Sequence, residues 1–149
     1  MIKKDKKGFT LIELLVVIAI IGLLSTLAVV ALSSARSKAR DAKRVGDIKQ
    51  VQTALELFYN ENNQYPTQAT AVTMGDTNHA CLGDNGFTTT GANCVTPFMG
   101  LIPSNPTPLG ADYTYVSVGA SATYLIGFSL EGTVGGLGGA STADQNGMY

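Results

Sequence analysis

Charge is scarce in this chain of 149 residues: Asp, Glu, Lys and Arg make up 14% of it, against about 25% in an ordinary soluble domain. Positive charge is missing altogether after Lys49. All ten Lys and Arg lie at or before that position beside four acids, Asp5, Glu13, Asp41 and Asp47. The remainder holds seven acids and no base. A surface without basic residues cannot neutralise phosphates, so no nucleic-acid interface is expected downstream of residue 49. Proline is absent before Pro66, and only three of the seventeen glycines precede residue 50. The first third is therefore free to be one long helix, and the rest is rich in turns. His79 is the only histidine. There is no Ser/His/Asp spacing and no pair of carboxylates on one predictable face, which excludes the usual catalytic constellations. His79 beside Cys81 lacks the paired ligand spacing of a zinc site. The glycine-rich tail Gly132–Tyr149 lacks the lysine of a phosphate loop and reads as a flexible surface loop or an edge strand.

What is present is a long apolar run. Leu14 to Ala35 are 22 consecutive uncharged residues, spanning roughly 33 Å as a helix, enough to cross a bilayer core. The helical pattern continues into polar sequence, with Val45, Ile48, Val51, Leu55 and Phe58 recurring every three or four residues. Asn62, Asn63 and Pro66 supply the stop. One helix from about Thr10 to Glu61 follows, apolar all round at first and amphipathic later. Its second half needs a covering layer. Two strand candidates can supply it, Tyr113–Val118 and Thr123–Glu131, joined by a turn at 119–122. The face Tyr124, Ile126, Phe128 and Leu130 is expected to pack on the Ile48, Val51, Leu55 and Phe58 stripe. The fold class expected is α+β, a long helix on a small antiparallel sheet.

The N-terminus admits three readings. Lys3, Lys4, Lys6 and Lys7 before an apolar run fit a secretory signal cut near Ser33-Ser34-Ala35, but the run exceeds the usual ~7–15 residues. A plain signal anchor is the second, and Arg36, Lys38, Arg40, Lys43 and Arg44 on the far side leave its orientation open. The third rests on Gly8-Phe9-Thr10-Leu11-Ile12-Glu13, a basic leader ending in Gly, then Phe, then an acid before the apolar run. This resembles the class III signal of type IV pilins and type II secretion pseudopilins. The resemblance extends over Ala39–Thr67, which looks like the amphipathic half of a pilin helix. It covers about 60 residues and persists beyond them only as architecture.

The resemblance implies a leader, residues 1–8, cut between Gly8 and Phe9 by a prepilin peptidase that then N-methylates Phe9. Residues 9–35 would be the transmembrane and filament-core helix, 36–65 the amphipathic half, and 66–149 the head, with a loop at 67–97 and the sheet region at 98–149. Glu13 would serve assembly, pairing with the Phe9 amine of a neighbouring subunit. Val30 stands where many pilins carry a helix-kinking proline, which leaves Gly22 as the weak point. In an exported head, Cys81 and Cys94 would form a disulfide closing the loop. Residue spacing offers no metal or other cofactor. The resemblance adds a calcium candidate, Glu131 and Asp144 with Asn146, since some major pseudopilins bind calcium in this region. The run Arg36–Arg44 is read as a face for lipid headgroups or other subunits.

The first functional reading is a structural, non-enzymatic subunit of a type IV pilus-like filament. It would be an inner-membrane precursor that joins identical or related subunits at an assembly platform with its ATPase, and end in a surface or periplasmic filament. The alternative is the major pseudopilin of type II secretion. A membrane-anchored surface adhesin ranks below both.

Overall fold

The computed structural model describes residues 8–89, 94–108 and 110–149. Its first element is α1 (Leu11–Asn62). The chain divides into two compact units, one ending at Arg36 and the other running Ser37–Tyr149.

In the first unit α1 is apolar on every side, and its Leu, Ile and Val side chains are exposed throughout. An 18-residue window has mean hydropathy 2.9 and nothing buried. A helix that is hydrophobic all round has no single face to turn toward a core, and it is long and apolar enough to cross a bilayer. The hydroxyls of Ser25 and Thr26 donate back to the carbonyls of Ile21 and Leu23, so they impose no unsatisfied polar group on an apolar surrounding. The helix runs unbroken through Gly22.

In the second unit α1 buries one stripe, Asp41, Arg44, Ile48, Val51, Leu55 and Phe58, at spacings of three and four. The helix ends where Asn63 takes a left-handed φ of 53° and donates its N–H to the Tyr59 carbonyl at 2.8 Å. Asparagine tolerates that geometry. Seven strands follow: β1 (Val72–Thr73), β2 (Cys81–Gly83), β3 (Gly86–Thr88), β4 (Thr114–Val118), β5 (Thr123–Val134), β6 (Leu137–Asp144) and β7 (Gly147–Met148). Five of them form one antiparallel sheet in the order β1-β4-β5-β6-β7, and β2 with β3 forms a separate hairpin.

The core is the expected one. Tyr124, Ile126, Phe128 and Leu130 alternate inward along β5 and meet the helix stripe. Tyrosines dominate it: Tyr65 packs edge-on to Tyr124 with ring centroids 4.7 Å apart, and Phe87 does the same to Tyr115. Buried Tyr113 and Tyr115 place their hydroxyls on Asp47 and on the Pro66 carbonyl.

Two regions differ from expectation. Residues 67–97, read as loop, contain β1, β2 and β3. Strands of two or three residues are too short to show a period. The segment is anchored rather than free: β1 pairs with β4, and Leu82 exchanges backbone hydrogen bonds with Met99. Cys81 and Cys94 are joined as a disulfide, Cα atoms 6.1 Å apart. Gly83 is glycine for space, since a Cβ there would stand 2.7 Å from the Val95 carbonyl oxygen. The glycine-rich tail forms β6, an inner strand between β5 and β7, and then β7, which lies at the sheet edge as one of the two readings had it. Gly135 and Gly136, with φ of 60° and 88°, close the β5–β6 hairpin in two residues. Positive φ at both positions is what a tight hairpin matching the strand twist demands.

Leu55 is fully buried, whereas its near neighbour Leu57 is 49% exposed. Leu55→Ala is expected to destabilise the head by about 2–5 kcal/mol. Leu57→Ala should stay within ~0.5 kcal/mol of wild type. Thermal unfolding of the full-length protein in detergent checks both values.

Candidate assembly site

The start of α1 is built by four residues. Thr10 stands just outside the helix, and its hydroxyl accepts from the Glu13 N–H at 3.3 Å. In return the Thr10 N–H and hydroxyl both donate to Glu13 Oε2, at 2.8 and 2.7 Å. This reciprocal capping box satisfies orphan amides of the first turn, and the carboxylate lies at the positive end of the helix dipole. All three bonds leave Glu13 Oε1 without a hydrogen bond among the described residues. Phe9 beside it is 85% exposed. Gly8 is exposed, and a Cβ on it would meet nothing within 4 Å. Nothing in the described fold requires glycine there.

The second constellation lies in the head. The β5–β6 ladder slips between Ser129 and Thr133. Such a bulge releases backbone N–H groups from the ladder. Those of Glu131 and Gly132 donate to the two Asp41 carboxylate oxygens at 2.9 and 2.8 Å. Fully buried Arg44 donates to Asp41 at 2.7 Å, to Glu131 Oε1 at 2.8 Å, to Asn105 at 2.7 Å and to the Pro106 carbonyl at 3.0 Å. Arg40 closes the fork on Glu131, with Nε on Oε1 at 2.6 Å and the second nitrogen on Oε2. The Glu131 carboxyl is held down at about 2, first by the Arg40 hydrogen bond and, after an opposing push from burial, by Arg44 and Ser37. Burial pushes Asp41 up, but the two backbone donors and Arg44 outweigh it and leave it lowered.

This knot corrects two expectations. The basic run Arg36–Arg44 is not simply a face for headgroups or subunits, because Arg40 and Arg44 are spent inside the head and Lys43 pairs with Asp47 at 3.0 Å. The signal was present in the spacing: positions 41 and 44 continue the stripe 48, 51, 55 and 58 by the same threes and fours. The calcium candidates are not brought together. Glu131 is occupied by two arginines. Asp144 takes the Asn146 and Gly147 N–H groups and the Tyr149 hydroxyl in a local turn. Ala143 pairs with Ile126, so Asp144 lies about six residues, roughly 20 Å, from Glu131 along the sheet. Among the described residues no group of three or more His, Cys, Asp and Glu could hold a metal. His79 places Nδ1 2.9 Å from Asp76 and its ring beside Phe87.

Residues 3–29 match the family model described as the prokaryotic N-terminal methylation motif. Type II secretion system core protein G of Vibrio cholerae is 31% identical over 149 residues, covering 99% of this chain and 95% of that protein. The protein of the same name from Aeromonas hydrophila is 43% identical over 65 residues, 44% of this chain and 46% of its own length. That from Escherichia coli K12 is 44% identical over 62 residues, 42% and 43% of the two chains. The match to these last two spans less than half their length. No solved structure matches the chain.

The depressed Glu131 carboxyl makes head stability depend on acid. Its folded value lies below the ordinary 4.5, so the unfolded chain binds the proton more readily. The stability it contributes is complete above about pH 4.5 and is lost as pH falls toward about 2. Glu131→Gln should lower the melting temperature of the full-length protein at pH 7, and the gap from wild type should close through that acid window. A gap of constant size from pH 7 to pH 2, as measured by circular dichroism, contradicts the assignment.

Proposed function

The chain belongs to the family of type II secretion system core protein G, and from that premise we propose that it is a pseudopilin, the repeating subunit of a secretion filament. The family is structural, so there is no reaction to assign. The support for a secretion filament over a pilus is the near full-length match to the Vibrio cholerae protein. This reverses the order of the two readings that the sequence alone suggested.

In this reading the precursor rests in the inner membrane on Leu14–Ala35, and a prepilin peptidase cuts between Gly8 and Phe9 and methylates the new amine. Gly8 has no structural duty in the fold, so its demand comes from the peptidase, which must approach the backbone closely. Assembly then draws copies together through their apolar helices. A carboxylate carried into such a bundle is costly unless paired. The capping box holds Glu13 Oε2 within its own chain and leaves Oε1 for a neighbour's Phe9 amine. Each copy neutralises the next, and the axial register follows. The filament would work with an assembly platform and its ATPase to move folded proteins across an outer membrane.

Mass spectrometry of the mature protein is expected to show a chain beginning at Phe9 with one added methyl group. A bulky residue at Gly8 should leave uncut precursor in the membrane. Glu13→Gln should preserve precursor level and cleavage but abolish filaments, since stripping one partner from a buried ion pair costs about 3–5 kcal/mol at every subunit. Wild-type filament abundance in that strain refutes the pairing. Deleting the gene should strand exported proteins in the periplasm. Loss of surface fibres with secretion intact would instead return the chain to the pilus reading.

A further inference from the structure

Within Ser37–Tyr149 most ionic groups of α1 are matched inside the head, and what is left over has a direction. Lys38 and Lys49 are exposed and make no ion pair among the described residues. Lying eleven residues apart, they share one side of the helix, which turns ~100° per residue. Past them the unpaired charge is acidic. Glu61 sits in the last turn of α1, where no basic residue accompanies it. A carboxylate there opposes the helix dipole. Asp84, exposed on the β2–β3 turn, likewise has no side-chain partner among the described residues. Glu61 and Asp84, with Thr96, Pro97 and Phe98, line an open concavity of about 450 Å³.

Two carboxylates facing one hollow with a proline and an aromatic wall suit a lysine. The ammonium would meet the acids, while the four-carbon stem lies along Pro97 and the Phe98 ring. The head cannot fill the hollow itself. It has no Lys or Arg after Lys49, and Lys49 is twelve residues before Glu61, roughly 18 Å along the helix.

We propose that this acidic hollow receives Lys49 or Lys38 from the helix of a second copy, so that neighbouring heads dock with an axial offset. The inference rests on the filament reading above. Copies inserted through the same N-terminal span point the same way. At equal height they would set lysine beside lysine and acid beside acid, which is repulsive. A displacement of roughly 18 Å for Lys49, or about 35 Å for Lys38, brings a lysine to the hollow instead. This neighbour is a different one from the copy that Glu13 meets, because pairing with a Phe9 amine four residues away displaces two copies by only about 6 Å.

The test uses the full-length chain as the sole copy in its own cells. Glu61→Lys with Asp84→Lys should reduce filaments at least about tenfold. Adding Lys38→Glu and Lys49→Glu to that chain should restore them. Because four substitutions risk misfolding, cysteine pairs provide a second measurement. Glu61→Cys combined with Lys49→Cys or Lys38→Cys should give, on mild oxidation of filaments, a ladder of dimers and higher species. Glu61→Cys with Thr53→Cys should give none. Wild-type filament levels in the double reversal, or intact filaments without a ladder from either pair, overturn the docking and leave the filament reading standing. A wild-type chain that forms no filaments in cells with the secretion machinery overturns that reading, and the docking with it.

Discussion

The arginine knot at the β5 bulge is the contact on which the head depends. Elsewhere helix and sheet meet mainly through apolar side chains, which bind without specifying direction, with single hydrogen bonds such as that from Gln52 to the Asp144 carbonyl beside them. At the bulge the contact is directional. The Glu131 and Gly132 amides, released from the strand ladder, land on the two oxygens of Asp41, and Arg44 ties Asp41 to Glu131. A sheet that slid along the helix by one residue would orphan two backbone donors and strand a buried guanidinium. Buried charges of this kind add little net stability over an apolar replacement, but breaking one is costly. Their service here is to hold one register.

From that fixed point the rest of the core follows. Leu130, one residue before Glu131, is the last of the inward side chains on β5, and Phe128, Ile126 and Tyr124 continue the row toward the far end. Arg44 also reaches Asn105 and the Pro106 carbonyl, so the proline-punctuated crossover is held by the same side chain. The segment before it is tied separately, by the disulfide and by Leu82 on Met99. Long connections rarely stay ordered without such ties.

The two units of the chain obey different physics. Up to Arg36 the helix is uniformly apolar and its first turn carries a self-contained polar device, the Thr10–Glu13 box. In lipid such a helix needs no partner. From Ser37 onward every turn contributes to a water-facing fold with its own core. The capping box completes the helix start with one Glu13 oxygen, Oε2, and engages the other in no hydrogen bond among the described residues.

Legibility followed the length over which each signal repeats. The 22-residue apolar run, the helix stripe and the alternation of β5 all extend far enough to be read without a structure, the first two as the halves of α1 and the third as the inward row of β5. The strands β1, β2 and β3 are two or three residues long, and a period cannot show in that span. The glycine tail lacks side chains to alternate, so nothing announced that β6 would be an inner strand. Its place is decided by β5 on one side and the Gly135-Gly136 turn that returns the chain onto it.

The sequence by itself therefore determined the membrane-length helix, the amphipathic half that follows and the kind of layer that must cover it, because these are properties of neighbours in the chain. Only the tertiary structure decided where the charges go. Glu131 and Arg44 are 87 residues apart. The stripe spacing marks position 44 as inward, but which groups meet it there depends on what the folded chain brings opposite it. Coulomb attraction acts over a few ångströms of space, and no local pattern in the sequence reports that distance.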